Sequence, residues 1–97
     1  MREYIDTEKV TFCYAEELPD EGAIAVFTYP IACLSKELQS LLPDNKDTDR
    51  GTIIMTITES GDLTTVIRRG KSPHPFMIEN DCAARLVDTA RQHLENC

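Results

Sequence analysis

Residues 8–15 alternate between two sides, with Val10, Phe12 and Tyr14 on one and Thr11, Cys13 and Ala15 on the other. A period of two predicts a strand. The acidic run Glu16-Glu17-Leu18-Pro19-Asp20-Glu21-Gly22 breaks the pattern. Residues 23–29 then follow, apolar on both faces as an interior strand should be. Pro30 closes that strand. Beyond it Ile31, Leu34, Leu38, Leu41 and Leu42 recur at helical spacing, with Ser35, Lys36, Glu37, Gln39 and Ser40 on the other face. Two starts fit this helix: Pro30 at its first position, or Ser35 as the cap of a shorter one. Pro43 stops it in either case.

Residues 52–69 read as a β-hairpin, two strands rich in Thr and Ile around Glu59-Ser60-Gly61-Asp62. A two-residue turn at Ser60-Gly61 would set Ile57 opposite Thr64 and Ile53 opposite Arg68, mixing polar and apolar residues on both faces. A three-residue turn, Glu59-Ser60-Gly61 with Gly61 left-handed in a bulge, gathers Ile53, Met55, Ile57, Leu63 and Ile67 on one face, with Thr65 the exception. Thr52, Thr56, Thr58 and Thr64 then share the other face with Ile54 and Val66. One face has to be buried, so the second register is the expected one.

Residues 68–75 read as a loop, and 80–95 as a second helix with Asn80 as N-cap and Asp81 in the first turn, where the helix dipole favours an anion. Ala83, Leu86, Val87, Ala90 and Leu94 make the buried stripe, and Arg85, Asp88, Arg91, Gln92 and Glu95 face water. The order is ββαββα. It predicts an α+β fold, a single domain over 1–97 with a four-stranded antiparallel sheet and two helices packed on one face. If the first strand rises, both acidic connections and the loop after residue 67 emerge at the same end.

Charge gives that end its interest. The net charge is −7, and residues 1–50 carry 11 acids against 5 bases while residues 51–97 carry 6 against 5. The excess is concentrated in Glu16, Glu17, Asp20 and Glu21 and in a second run containing Asp44, Asp47 and Asp49. Carboxylates in such excess disfavour direct contact with a nucleic acid or an anionic membrane, since both need Lys and Arg. They favour a basic protein as partner. The one dense positive cluster is Arg68, Arg69 and Lys71. It reads as a set of partners for the acidic loops, or as the guard of an edge strand. The N-terminus lacks the apolar core of a secretory signal and no stretch approaches the roughly 20 apolar residues of a membrane span, so the cytoplasm is the expected compartment.

Candidate chemistry is sparse. Cys13, Cys33, Cys82 and Cys97 form no C-x-x-C pair, and buried thiols are the expected state of the first three, with Cys97 exposed. Asp44, Asp47 and Asp49 miss the calcium-loop pattern: counting from Asp47 puts Gly51 at the third ligand position, and counting from Asp44 puts Lys46 at the second. Gly70-Lys71-Ser72 resembles the end of a phosphate-binding loop, but Thr65 stands where its first glycine belongs. His74 and His93 have no thiol in a catalytic sequence context. The expectation is therefore a non-catalytic protein with no cofactor and no metal.

Two functional expectations follow from the residues, with a small enzyme using a Cys/His site as a lesser third. In the first, a small acidic module binds a basic, nucleic-acid-binding partner, its carboxylates standing in for phosphates. In size and charge this resembles the small inhibitors of phages and mobile elements, anti-CRISPR proteins among them. In the second, an accessory or chaperone-like subunit holds a cognate protein, or a second copy of itself, through the hairpin sheet at Ile54 and Val66 or by pairing an edge strand.

Overall fold

The computed structural model describes residues 2–42 and 49–95. Five strands run as an antiparallel meander in sequence order: β2 (Thr11–Leu18), β3 (Gly22–Pro30), β4 (Arg50–Ile57), β5 (Leu63–Arg69) and β6 (Ser72–Pro75). Two-residue strands, β1 (Arg2–Glu3) and β7 (Met77–Ile78), pair in parallel beside them. Helix α1 spans Lys36–Leu41 and α2 spans Asn80–Glu95. The fold is α+β as expected, with five sheet strands where four were read.

The central hairpin has the register that the burial argument selects. Ile53 pairs Ile67, Ile54 pairs Val66 and Ile57 pairs Leu63. Gly61 takes a φ of +92°, its N–H donates to the Thr58 carbonyl at 2.9 Å, and the Thr58 N–H donates to the Asp62 carbonyl at 2.9 Å. The Thr65 exception is explained too: its buried hydroxyl donates to the carbonyl of Phe76.

The extra strand comes from residues read as a loop. Gly70 and Lys71 form a two-residue turn between Arg69 and Ser72, with Gly70 at φ +80° as the first position of a type II′ turn requires. Pro73 and Pro75 argued against a strand, but they occupy an edge. Ser72 and His74 pair with Arg69 and Ile67, whose backbone groups face β6, so the two prolines stand where an amide would point outward. They remove those donors at no cost to the ladder. The β4–β5 hairpin is consequently interior and offers no edge of its own.

The first strand also differs. It starts later than expected, at Thr11, after a single 3₁₀ turn at Thr7–Lys9 capped by the Asp6 side chain. A bulge lies between Phe12 and Tyr14, so that Phe12 pairs Phe27 while Tyr14 pairs Val26. The additional residue reverses the alternation. Phe12 packs toward the core with Ala15, and Tyr14 moves to the opposite face with 45% of its surface exposed. Cys13 sits at the bulge and is exposed rather than buried; Cys33 is half-buried and Cys82 buried. Cys97 lies outside the described residues.

Both helices lie on one side of the sheet. Phe27, Tyr29, Ile53, Met55 and Ile67 form a buried layer with Leu38 of α1 and Cys82, Leu86 and Ala90 of α2. The Phe, Ile, Met and Leu side chains of this layer each contribute about 1.5–3 kcal/mol on leaving water. Of the expected α2 stripe, Leu86 and Ala90 are buried and Ala83 and Val87 partly so, while Cys82 replaces Leu94 as the third buried position. Ser35 is the cap of α1, its hydroxyl accepting from the Leu38 N–H at 3.2 Å. Asn80 is not the cap of α2. The Ala83 N–H donates to the Glu79 carbonyl, and Asn80 Oδ1 instead accepts from Arg2 at 2.7 Å.

The N-terminal arm was invisible in the hydrophobic pattern, yet it closes the core. Ile5 is 1% exposed. The buried Glu3 carboxylate accepts from the Ser35 N–H at 3.2 Å and from the Ser35 hydroxyl. The Tyr29 hydroxyl, inside the core, accepts from the Asp6 N–H at 3.0 Å. Burial raises the Tyr29 hydroxyl above its ordinary pKa of 10.0, while the bond from Asp6 works in the opposite direction. A group raised in the folded state contributes stability that is complete below its unfolded value and is lost as pH rises through the folded one. Melting temperatures measured from pH 8 upward should therefore hold until about pH 10 and then fall. Tyr29→Phe should shallow that fall and cost about 1 kcal/mol at neutral pH, since the Asp6 N–H loses its acceptor.

A candidate protein-binding surface

The face of the sheet away from the helices has no cover among the described residues. The pairing registers align its outward positions into three rows across the strands. The middle row is Tyr14, Val26, Ile54, Val66 and Pro75, one residue from each of the five strands. Below it run Thr11, Thr28, Thr52, Arg68 and Pro73, and above it Glu16, Ile24, Thr56 and Thr64. Every side chain in these rows is half-buried or exposed, whereas Ala25, Phe27, Ile53, Met55, Thr65 and Ile67 on the reverse are buried. The result is an apolar stripe bordered by threonines. Ile54 and Val66, marked in the sequence as its apolar spot, lie at its centre. Val26 and Tyr14 extend it, and sequence reasoning missed both: Val26 looked like part of a doubly buried strand, and the bulge concealed Tyr14.

Charge is divided between the ends of the sheet, and differently from the expected way. Pro30 pairs with Arg50, and the Ile31 N–H donates to the Asp49 carbonyl at 2.8 Å. The connection holding α1 thus returns to the end it left, and β4 rises from there. Asp49 consequently lies at the end opposite Glu16, Glu17, Asp20 and Glu21, which corrects the shared acidic end read from the element order. A helix of six residues is too short to climb the sheet. Asp44 and Asp47 lie outside the described residues. The turn at Gly70 and Lys71 is at the Asp49 end, with Arg68 exposed and Arg69 half-buried.

What joins the first acidic turn is the hairpin tip with Glu59 and Asp62. Residues 16–23 and 57–64 together carry six acids and neither Lys nor Arg. The two tips flank an open concavity of about 540 Å³ lined by Glu17, Leu18, Pro19, Asp20, Ile57 and Glu59 among others. The first tip is built for display. Pro19 leads a turn closed by the Glu21 N–H on the Leu18 carbonyl at 3.1 Å, with Asp20 at a φ of +64°. The other end carries Lys9, Arg50, Arg68, Arg69 and Lys71 beside Glu8 and Asp49. Arg50 reaches across the open face, its guanidinium donating to the Thr28 and Thr11 hydroxyls at 3.1 Å each.

Tyr14 and Glu16 are coupled, the phenol donating to the carboxylate. That hydrogen bond, with smaller contributions from desolvation and from the carboxylate's charge, raises the Tyr14 hydroxyl above 10.0. The histidines are engaged structurally. His93 stacks on Phe12 at 3.8 Å with the rings 4° from parallel, and His74 pairs with Ile67 on the core side. Cys33 Sγ accepts from Lys9 Nζ at 3.8 Å. Among the described residues no group of three or more His, Cys, Asp or Glu is placed to hold a metal ion, and no helix is long and apolar enough to cross a membrane. Compared with known protein families, with curated proteins and with solved structures, the chain matches none.

Proposed function

We propose that this protein is a non-catalytic protein-binding module that holds its partner on the open face of the sheet. The observation that carries the reading is the apolar row Tyr14, Val26, Ile54, Val66 and Pro75, aligned by register and left uncovered among the described residues. Side chains of this kind in a contiguous patch contribute binding energy when a second surface excludes water from them. The acids above the row and the guanidinium below it add direction. A fitting partner is apolar at its centre, basic opposite Glu16 and acidic opposite Arg50 and Arg68.

Affinity purification from the cells that make the protein tests this, run in parallel for the wild type, Ile54→Glu and the triple reversal Glu17→Lys, Asp20→Lys, Glu21→Lys. Ile54→Glu is expected to lose the bound partners while keeping its circular dichroism spectrum. The triple reversal should weaken binding severalfold, and added salt should weaken the wild type in the same direction. If Ile54→Glu retains every partner of the wild type, the open face is not the binding surface.

The six-acid end favours a second reading, in which carboxylates imitate phosphates for a nucleic-acid-binding protein, as in a phage or mobile-element inhibitor. Asp49 at the far end removes part of its support. It requires the triple reversal, and not Ile54→Glu, to abolish binding, and a DNA or RNA duplex to compete for the partner.

A further inference from the structure

The surface required of the partner is present on the chain itself. We infer that the open face binds a second copy of this protein, the two sheets stacking with their strands reversed about a two-fold axis along the row Tyr14, Val26, Ile54, Val66 and Pro75. This rests on the reading of that face as the binding surface, and it names the occupant.

A two-fold axis along the row leaves each strand facing its own copy and exchanges what lies above the row with what lies below. Val26, Ile54 and Val66 of one copy then meet the same residues of the other. Their short branched side chains suit the separation of about 10 Å at which sheets pack face to face. The rows on either side are threonine-rich and exchange as equals. Charge sets the direction. Glu16 is on the upper row of β2, and Thr11 is the lower-row residue of the same strand, with the Arg50 guanidinium on its hydroxyl at 3.1 Å. Reversal sets the Glu16 carboxylate of each copy over the Thr11–Arg50 cluster of the other, twice per dimer. Stacking with strands parallel needs the two-fold along the strands, which brings both acidic ends to one side and sets Arg68 of each copy over the Thr28–Arg50 cluster of the other. With −7 on each chain, only the reversed arrangement keeps the two acidic ends apart.

The β6 edge of the sheet argues for the same face. Pro73 and Pro75 remove the outward amides of β6, so a second copy cannot extend the sheet there. β6 occupies the outer side of β5 from Val66 to Arg69, so there the edge of the sheet is β6 and not the hairpin.

Sedimentation equilibrium over a concentration series is the test. The wild type is expected at twice the 10.9 kDa of one chain, and Ile54→Glu at the mass of one chain with an unchanged far-ultraviolet spectrum. Glu16→Lys and Arg50→Glu should each weaken the dimer at least tenfold, because each sets like charges over one another at two places. Mixed together they should recover it. In the heterodimer the introduced lysine of one variant faces the introduced glutamate of the other, and on the opposite side native Glu16 faces native Arg50. Where Arg50→Glu does not fold, Thr11→Glu presents an acid at the same place. A wild type that stays monomeric to about 1 mM overturns the inference, as does a dimer indifferent to Ile54→Glu or a mixture no stronger than its components. If the wild type is monomeric and Ile54→Glu still loses a captured partner, self-pairing falls while the protein-binding reading stands.

Discussion

Phe27→Ala is expected to destabilise the protein by about 3–5 kcal/mol, the usual cost of emptying a fully buried aromatic site. Phe27 has no exposed surface. It meets Ile53 across the ladder and Phe12 edge to face at 5.7 Å, and Phe12 in turn stacks on His93 of α2. One ring thus supports the junction of the first hairpin and the last helix. For a domain of this size each kcal/mol is worth roughly 4–8 °C, so the melting temperature should drop by roughly 15–30 °C. That is a large share of the 5–15 kcal/mol that typically separates folded from unfolded chains. Thermal melts followed by circular dichroism are sufficient to measure it, and a drop of only a few degrees would show that α2 is not anchored through these rings.

Gly22→Ala should be comparably damaging for a different reason. Gly22 has a φ of +105°, and a Cβ there would sit 1.9 Å from the Ile57 carbonyl oxygen and 2.9 Å from the Thr58 Cα. Both obstacles are backbone of the neighbouring strand, so the strands must separate where the two tips adjoin. Strained dihedral and displaced ladder together should cost about 3–5 kcal/mol. Gly61→Ala is the matched control, with φ +92° and nothing within 4 Å of the added carbon. It bears the dihedral penalty alone, about 1–2 kcal/mol. Urea titrations of the two variants separate the terms, and equal losses would contradict the close approach of β3 to β4 at this point.

How much of this was legible in the sequence depends on how far each signal reaches along the chain. The β4–β5 register was readable because one burial requirement and one glycine agree within 18 residues. The cap of α1 was readable as one of two options. Three features were not. A single residue of bulge at Cys13 leaves no mark in composition, yet it decides which face receives Tyr14. The prolines of β6 resemble strand breakers until their edge position is known. The end at which Asp49 emerges depends on whether α1 traverses the sheet, and six helical residues do not. The candidate surface was half visible for the same reason. Ile54 and Val66 lie within one hairpin, whereas Val26 and Tyr14 join them only through pairings between strands.

Arg2 pairs with Met77 and Glu3 with Ile78, the most distant backbone pairing among the described residues. During synthesis, at about 5–20 residues per second, the arm leaves the ribosome well before the partners it joins. The short hairpins need only local closure, so the meander can assemble while the chain is still growing. The backbone of Arg2 and Glu3 must wait for β7, whereas Ser35 and Tyr29, the partners of the Glu3 carboxylate and the Asp6 N–H, are made earlier. The first backbone translated is thus the last to find its strand partner.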